Sequence, residues 1–295
     1  MNDRLVLFGT KGGPRLIKGG SWPTSQALVL NGNVYIIDAG LGVTRQFIEA
    51  GFTYDQLESI FITHHHSDHN LELGGLIYTS WVGAPAHKIN IFGPSGLKKL
   101  ITHFIESQSF DINIRILDEG LHDIRECFSC AEYDQGVIFE DDKLKVEALR
   151  VQHPPIDDCF ALKFETASVK IVFGADTTYF PPLAEFAKDA DILVHEAMHL
   201  GAAQKICVLL QETKPKLWAH FQASHTSCED VGRIASAANC KTLVVNHFVP
   251  EIGFNVTSDD FEKAIRTTFT GKLLIGRDLL LSLIHISEPT RPSII

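Results

Sequence analysis

Residues 63–69 of the chain read Thr-His-His-His-Ser-Asp-His and follow an apolar stretch that is typical of a buried strand. In an extended strand, side chains two positions apart point the same way, so His64 and His66 can converge on one cation. Asp68 and His69 come just after the expected bend and can face a second cation. Imidazole and carboxylate groups together favour zinc, manganese or iron over calcium. The stretch therefore predicts two adjacent metal ions, with zinc ahead of manganese and iron.

A histidine cluster can also be an affinity tag or a chance surface patch. A tag is a terminal, uninterrupted run, whereas this cluster is internal and follows a strand-like segment. It also precedes the pair Gly74-Gly75, which suits a tight packing contact. These features favour a metal site over a tag.

Three more candidate ligands follow strand-like segments further along the chain. His153 follows a segment whose apolar residues alternate, Asp176 follows one that ends in small residues, and His247 follows the run Leu-Val-Val-Asn. Alternating apolar residues are typical of a half-buried strand. Any one of these residues, taken alone, is more often structural, so their interpretation depends on the whole set of motifs.

This set of motifs resembles the metallo-beta-lactamase fold hydrolases, and within them the ribonuclease Z and arylsulfatase-like branch, over residues 5–281. The resemblance implies a first metal held by three histidines, a second metal held by an aspartate and two histidines, and one bridging carboxylate. In that order, these are His64, His66 and His153; Asp68, His69 and His247; and Asp176. Since all the expected ligands occur in the family's order, coincidence is a poor explanation.

Two further segments resemble catalytic motifs of the same branch, His195-Glu196-Ala197 and Ser224-His225-Thr226. The resemblance implies that Glu196 orients His225. An imidazolium held by a carboxylate can stabilise developing negative charge or protonate a leaving oxygen. The structural alternative places His225 beside a helix cap, because Thr226 and Glu229 have the spacing of a capping box. Both roles can hold together, and we favour the catalytic one.

Two other motifs are misleading. The stretch from His195 to His199 matches the His-Glu-x-x-His signature of zinc peptidases, which requires both histidines on one helix. The preceding residues 191–194 are typical of a strand, which argues against that helix. Cys127 and Cys130 have the spacing of half a zinc knuckle or a redox pair, yet no second such pair follows. Structural or incidental cysteines are the better interpretation.

Length and composition limit the class of protein. The 295 residues are 45% hydrophobic and 21% charged, as in globular proteins, and no apolar run is long enough to span a membrane. The N-terminal residues lack the pattern of an export signal, so we expect a soluble, cytoplasmic protein with six reduced cysteines. The formal net charge of -10 disfavours nucleic acid as a partner without excluding it. A homodimer is left open.

The candidate ligands come from both halves of the chain, which predicts a single hydrolase domain over residues 1–281. Residues 282–295 resemble a translated sequencing-adapter read and are expected to be a non-native tail; the alternative is a short native tail.

Secondary structure patterns predict mixed α/β structure. Asn31-Gly32 between apolar runs predicts a hairpin, and the sequence predicts helices over 44–50, 97–107, 182–188 and 229–238. The family resemblance implies a four-layer αββα sandwich. The glycine-rich loop before residue 23 lacks the ending of a phosphate-binding loop and is expected to be a turn region at the rim of the site.

The predicted chemistry is hydrolysis by attack of a hydroxide that bridges two metal ions. The preferred substrates are small-molecule phosphate, sulfate or carboxylic esters, lactones included. The resemblance implies that nucleases of this branch carry a long arm for gripping tRNA between the equivalents of His153 and Asp176, and only 23 positions separate them here. Aromatic residues in loops near the ligands are candidates for the substrate pocket: Trp22, Trp81, Tyr179 and Phe180.

Two alternatives remain. The first is a ribonuclease Z-like tRNA 3'-end endonuclease. The second is a non-hydrolytic diiron redox or binding protein, which the absence of a flavin domain from this chain disfavours. Lactam-hydrolysing members of the fold lack the His-Glu-Ala and His-Thr segments and are disfavoured for that reason.

Overall fold

A computed structural model describes residues 3–283 of the chain, and their strands form two sheets of seven. The first sheet contains β1 (Arg4–Gly9), β2 (Ser25–Leu30), β3 (Asn33–Ala39), β4 (Leu57–Phe61), β5 (Ile89–Gly93), β6 (Phe128–Glu132) and β14 (Leu280–Leu283). The second contains β7 (Gly136–Glu140), β8 (Lys145–Arg150), β9 (Phe160–Glu165), β10 (Lys170–Phe173), β11 (Ile192–Met198), β12 (Thr242–Val249) and β13 (Lys272–Ile275).

The two sheets share one plan, in which a parallel part adjoins an antiparallel part. The strand orders are β14-β1-β2-β3-β4-β5-β6 and β13-β12-β11-β10-β9-β8-β7. Strands β3 to β6 run parallel to one another, as do β10 to β13. Ligand sites in such sheets lie beyond the carboxyl ends of parallel strands. Candidate ligands follow β4 and β10 at those ends.

Helices cover the outer faces of both sheets. The α-helices in residues 3–283 are α1 (Val43–Glu49), α2 (Ser67–Asn70), α3 (Leu73–Val82), α4 (Leu97–Ser107), α5 (Ser109–Asp118), α6 (Pro182–Phe186), α7 (Leu200–Leu209), α8 (Leu217–Ser224), α9 (Cys228–Ala237) and α10 (Ser258–Arg266), and all but α2 and α8 pack on these faces. One apolar cluster joins α1, α3, α4 and α5 to the first sheet, and another joins α6, α7, α9 and α10 to the second. None of the helices in residues 3–283 is long and apolar enough to cross a membrane.

Alternating side chains along single strands build two core layers at once. In β1, Val6 and Phe8 pack toward the helices, whereas Leu5 and Leu7 pack between the sheets. The layer between the sheets includes Phe61, whose ring packs edge-on against Phe164 from the second sheet with centroids 5.1 Å apart. Because both faces of these strands are buried, they read as continuous apolar runs. The predicted four-layer αββα sandwich is confirmed.

The predicted helices are present, with ends shifted by up to two residues. The helix predicted over 97–107 is α4 itself, and the others correspond to α1, α6 and α9. Residues 31 and 32 form the predicted two-residue hairpin between β2 and β3, both with positive φ. Strand β11 continues through Met198, so His195 lies on a strand and the peptidase helix does not form.

One detail of the sequence analysis is wrong. The cap of α9 is Ser227, whose hydroxyl accepts a hydrogen bond from the amide of Asp230, because Thr226 instead donates its hydroxyl to the carbonyl of Thr177. Strand β14 runs to residue 283 and pairs antiparallel with β1, so the first two residues of the predicted tail lie in a strand, and the non-native origin of the tail stays a prediction. The remainder of the predicted tail, residues 284–295, lies outside the described residues. The single-domain organisation stays a prediction.

Candidate metal centre

Strand ends bring the predicted ligands to one place. His64 follows β4, and the short helix α2 begins directly after His66, which turns Asp68 and His69 back toward the same point. His153 and Asp176 lie in the loops that follow β8 and β10. Three groups of ligand atoms result, each with all its atoms within 4.8 Å of one another: His64, His66, His153 and Asp176; Asp68, His69 and His247; and Asp176, His225 and His247.

A bulge in β12 directs His247 into the centre. The pairing of β11 with β12 runs from His195–Val245 to Ala197–Phe248, so two residues of β12 oppose one residue of β11. His247 has a φ of 47°, a left-handed conformation that is uncommon outside glycine. A bulge re-aims a side chain in this way. Strained backbone conformations concentrate at functional sites. The conformation of His247 therefore fits a functional role for this residue in the cluster.

The ring nitrogens of His64, His66 and His153 lie so close together that hydrogen bonds among them cannot pair every lone pair. Nδ1 of His66 lies 3.0 Å from Nε2 of His64 and 3.0 Å from Nε2 of His153. Nδ1 of His64 faces the Thr63 hydroxyl, which itself donates to Asp38, and Nδ1 of His153 donates to a backbone carbonyl. Both rings therefore direct the lone pair of Nε2 toward His66. Converging lone pairs suit a cation.

The carboxylate of Asp176 connects the two groups. Its Oδ2 lies 3.0 Å from Nε2 of His247, 3.4 Å from Nε2 of His69 and 3.9 Å from Nε2 of His153. Nε2 of His69 is buried and has no hydrogen-bond partner within residues 3–283. A buried nitrogen of this kind fits a ligand to a cation, because an unmet buried polar atom is costly. The donor set fits the two metal ions predicted from sequence.

Asp38 is a positioning residue that the sequence analysis missed. Its Oδ2 accepts a 2.8 Å hydrogen bond from Nδ1 of His69, and its Oδ1 accepts from the amide of Thr63. Metal-binding histidines commonly donate their second ring nitrogen to a carboxylate or carbonyl, which fixes the ring and its tautomer. A usable signal was present, since Asp38 follows an apolar run and precedes Ala39-Gly40, as Asp176 follows Gly174-Ala175.

The charges around the centre attract cations. Burial raises the pKa of Asp68, but His69 and His247 outweigh burial and hold that pKa well below its usual range. Burial lowers the pKa of His247, yet Asp176 and Asp68 more than offset it and raise the pKa to about 10. Burial lowers the pKa of His153 to about 4. The carboxylates of Asp68 and Asp176 therefore attract positive charge. His153 offers a neutral imidazole, which is the form that binds metals.

Glu196 and His225 form a buried pair beside both groups. Oε2 of Glu196 accepts a 2.7 Å hydrogen bond from Nδ1 of His225, and its Oε1 accepts one from the amide of Thr177. Burial raises the pKa of Glu196, and His225 opposes that rise. The His225 ring stacks against that of His247 at 5.6 Å between centroids. The pair thus has the arrangement of a carboxylate that orients a proton-carrying imidazole.

A cavity of about 420 Å³ opens above this centre. Its floor contains His66, Asp68, Asp176, His225 and His247. One wall is the loop of residues 11–17 and another comes from α7, α8 and the turn between them. The walls combine apolar side chains with three basic residues and one acidic residue: Ile17, Ile206, Leu210, Leu217, Phe221 and Phe254, with Lys11, Arg15, Lys214 and Glu251.

The glycine-rich loop lies closer to the centre than a rim turn would. The amide of Gly13 donates a 2.6 Å hydrogen bond to Oδ2 of Asp68. A side chain at residue 12 would collide with the His247 ring, with only 2.8 Å to its Cε1, so glycine is needed there. Lys11 is 3% exposed, and burial lowers its pKa. The sequence analysis treated this loop as a turn and missed its contact with the ligands.

The four aromatic residues predicted for the substrate pocket lie away from this cavity. Trp81 lies in α3, where its ring is buried in the core and its indole nitrogen donates to the carbonyl of His122. Phe180 packs against the core beneath the second sheet, and Trp22 covers Gly42. Tyr179 is 43% exposed. None of the four lines the described cavity above the centre, because the aromatic wall residues come from α8 and the segments around β12.

Two histidines near the motif have separate environments. His65 contacts the carbonyl of Pro94 and the side chain of Asn70 and belongs to none of the ligand groups in residues 3–283. His220 on α8 lines the cavity, and burial lowers its pKa. Sequence analysis missed it, because α8 itself was not predicted.

All six cysteines lie in the described part of the chain, and each is free.

Comparison with known proteins identifies one family and related nucleases. The family model described as anti-Pycsar protein Apyc1 matches residues 13–233. The ribonuclease Z of Mycobacterium marinum (strain ATCC BAA-535 / M) is 27% identical over 251 residues, covering 84% of this chain and 87% of that protein. The ribonuclease Z of Mycolicibacterium gilvum (strain PYR-GCK) is 25% identical over 273 residues, covering 89% of this chain and 90% of that protein.

Solved structures resemble the fold. The metallo-beta-lactamase fold protein YhfI from Bacillus subtilis has a TM-score of 0.68 at 18% identity, with 96% of this chain and 99% of that chain covered. The short form of human tRNase Z has a TM-score of 0.68 at 20% identity, with 96% and 100% covered. At such identities the structures establish the fold alone.

Proposed function

The chain belongs to the family of the anti-Pycsar protein Apyc1 and is a metal-dependent hydrolase of the metallo-beta-lactamase fold in the ribonuclease Z branch, and on that basis we propose that it cleaves phosphodiester bonds. The observation that carries the proposal is the hydrogen-bonded pair of Glu196 and His225 beside the clustered ligands. A phosphodiester has a poor leaving group, so its cleavage needs a proton donor next to the activated centre.

The candidate ligands would hold two divalent ions, zinc first, on His64, His66 and His153, on Asp68, His69 and His247, and on Asp176 between them. When bound, such ions lower the pKa of a water toward neutrality and offset charge on phosphoryl oxygens. The chain's own residues supply the remaining steps.

His225 is the proposed proton donor. Its Nδ1 is engaged by Glu196, which leaves Nε2 as the nitrogen that can hold a proton for the leaving oxygen. The buried carboxylate fixes the orientation of the ring. The amide of Thr177 holds the other oxygen of Glu196, so the carboxylate cannot turn away from the imidazole.

The cationic wall supports an anionic substrate. A phosphodiester carries a negative charge throughout hydrolysis, whereas a carboxylic ester or a lactone is neutral before attack. Arg15 and Lys214 line the cavity with exposed side chains that can approach a phosphate oxygen, and Lys11, whose ammonium group donates to the carbonyl of Arg15, adds positive charge beside them. This favours phosphate over the carboxylic esters and lactones of the sequence analysis. The ribonuclease names of the relatives favour phosphorus over sulfur.

Two sizes of phosphodiester remain as candidates. A cavity of about 420 Å³ suits a molecule of roughly nucleotide size, the small-molecule form of the proposal. RNA 3'-end processing is the second candidate, and the ribonuclease Z relatives favour it more than the sequence analysis allowed. Against it, strands β9 and β10 occupy the interval between His153 and Asp176, where the resemblance implies a tRNA-gripping arm.

A substrate panel tests the proposal. Metal-loaded protein would be assayed on bis(p-nitrophenyl) phosphate, p-nitrophenyl phosphate, p-nitrophenyl sulfate, p-nitrophenyl acetate, a lactone and a precursor tRNA. We expect the phosphodiester to have the highest kcat/KM among the small substrates. Faster turnover of the sulfate, acetate or lactone would contradict phosphodiester specificity, and efficient trimming of the precursor at physiological salt would favour the second candidate.

A further inference from the structure

His220 is a histidine above the metal centre that belongs to none of the clustered ligand groups in residues 3–283. It lies on α8, with its ring centroid 6.5 Å from that of His66, 6.5 Å from that of His153 and 5.8 Å from that of His225. The side chain is half-buried and lines the cavity. Its position suits contact with a substrate bound over the centre.

Ser224 fixes the orientation of the His220 ring. The Ser224 hydroxyl donates its only proton to the carbonyl of Pro154 at 2.5 Å. The 3.2 Å contact between that hydroxyl and Nδ1 of His220 must therefore be donated by the ring. The carbonyl of Ser224 also accepts the hydrogen bond from Nδ1 of His153. One serine thus orients a candidate ligand and the ring above it.

Nε2 is the remaining hydrogen-bonding atom of His220. With the proton of a neutral ring on Nδ1, Nε2 carries a lone pair and acts as an acceptor. No group in residues 3–283 forms a hydrogen bond with it.

The basic side chains on the walls differ from His220 in kind, and the one wall carboxylate, Glu251, already accepts a hydrogen bond from the amide of Ser21. Lys11, Arg15 and Lys214 are donors and suit the oxygens of a phosphate. An acceptor at Nε2 suits a hydroxyl donor instead. In a ribonucleotide, a hydroxyl stands on the carbon next to the 3'-phosphate ester, and the corresponding deoxyribonucleotide lacks it.

We propose that Nε2 of His220 accepts a hydrogen bond from a substrate hydroxyl adjacent to the scissile phosphodiester, so that the protein selects ribonucleotide over deoxyribonucleotide esters. This selectivity adds a substrate preference to the proposed phosphodiesterase function and rests on that function. A site that hydrogen-bonds a substrate hydroxyl rejects the analogue that lacks it. Because His220 is only half-buried, we expect a preference of about tenfold in kcat/KM.

The test compares adenosine 3',5'-cyclic monophosphate with its 2'-deoxy analogue. His220→Asn keeps an amide near the position of Nδ1 but removes Nε2, and His220→Gln can return an acceptor oxygen near the position of Nε2. We expect wild-type protein to prefer the ribonucleotide about tenfold, His220→Asn to lose that preference, and His220→Gln to regain part of it. Gln222→Ala, an exposed change on the same helix, is the matched control and should keep the wild-type ratio.

The outcomes separate this inference from the function beneath it. Turnover of both cyclic nucleotides without a ribonucleotide preference overturns the role of His220 alone. An equal loss on both nucleotides in His220→Asn also overturns it, because His220 would then act on the phosphate or on the fold. If wild-type protein cleaves neither nucleotide nor bis(p-nitrophenyl) phosphate, the proposed function fails and the inference fails with it.

Discussion

The floor and the walls of the cavity differ in how firmly their side chains are held. The floor is taken to include the candidate ligands directly beneath the residues that line the cavity. Of these, His64, His69 and His153 are buried, and each has its second ring nitrogen engaged by a hydroxyl, a carboxylate or a carbonyl. On the walls, Arg15 and Lys214 are exposed and Phe221 is half-buried, and Lys11 alone of the wall cations is buried, with its ammonium group donating to the carbonyl of Arg15. The difference indicates that the floor determines the reaction and the walls determine the substrate. Changes to the floor should therefore reduce kcat, and changes to the walls should affect KM and selectivity.

Replacing the carboxylate that joins both ligand groups is the most severe change to the floor. Asp176→Ala should lose bound metal and all measurable phosphodiesterase activity, because Oδ2 of Asp176 approaches histidines of both groups. Metal analysis of the purified variant and hydrolysis of bis(p-nitrophenyl) phosphate would measure this. The exposed Asp142→Ala is the control. Full metal content and activity in Asp176→Ala would refute the claim that Asp176 connects the two ligand groups.

Removing the proton donor should spare metal binding but slow turnover. We expect His225→Ala to lower kcat on an alkyl phosphodiester by about 100- to 10,000-fold. The loss should be much smaller on a p-nitrophenyl ester, whose leaving group needs no proton. Equal losses on both substrates, at unchanged metal content, would instead assign His225 to positioning.

A variant of Asp38 tests whether its hydrogen bond to His69 contributes to metal binding. Asp38→Asn keeps the shape of the side chain and suits the left-handed backbone at φ 62°. It weakens the acceptor for Nδ1 of His69, so we expect metal affinity to fall by about 10- to 100-fold. A competition titration with a chromogenic chelator measures the change, and Asp142→Asn should leave affinity unaltered. Unchanged affinity in Asp38→Asn would mean that the ring is held by packing alone.

A variant of Lys11 tests whether positive charge on the cavity wall contributes to substrate binding. Lys11→Met retains most of the buried aliphatic chain and removes the ammonium group. We expect KM for bis(p-nitrophenyl) phosphate to rise about tenfold with little change in kcat, as for a lost charged contact of ~1.4 kcal/mol. The exposed Lys18→Met is the matched control. A fall in kcat at constant KM would assign Lys11 to the floor and break the division between the two regions.

The same division explains what the sequence could predict. His64, His66, Asp68 and His69 depend on local geometry, since a strand end followed by one turn of helix places them together. Asp176 and His153 follow recognisable strands. The resemblance supplied the pairing of these distant segments, which spacing alone does not give. It also supplied the four-layer arrangement, because periodicity alone indicates only mixed α/β structure.

The walls depend on tertiary packing that local patterns do not encode. Helices α7 and α8 carry apolar residues on several sides, including Val208 and Leu209, which are each 70% exposed, so no clear periodic face marked them. His220 was missed together with α8. Trp81 was placed in the pocket because α3 was not predicted, and a tryptophan expected in a loop lies in the core of the fold.

The central claim is that the floor holds two metal ions and that phosphodiester cleavage requires both. Protein stripped with a chelator would be titrated with Zn²⁺ while bound metal and hydrolysis of bis(p-nitrophenyl) phosphate are measured on the same samples. We predict no activity in the stripped protein and a plateau at two equivalents per chain. Full activity in the stripped protein would contradict the account.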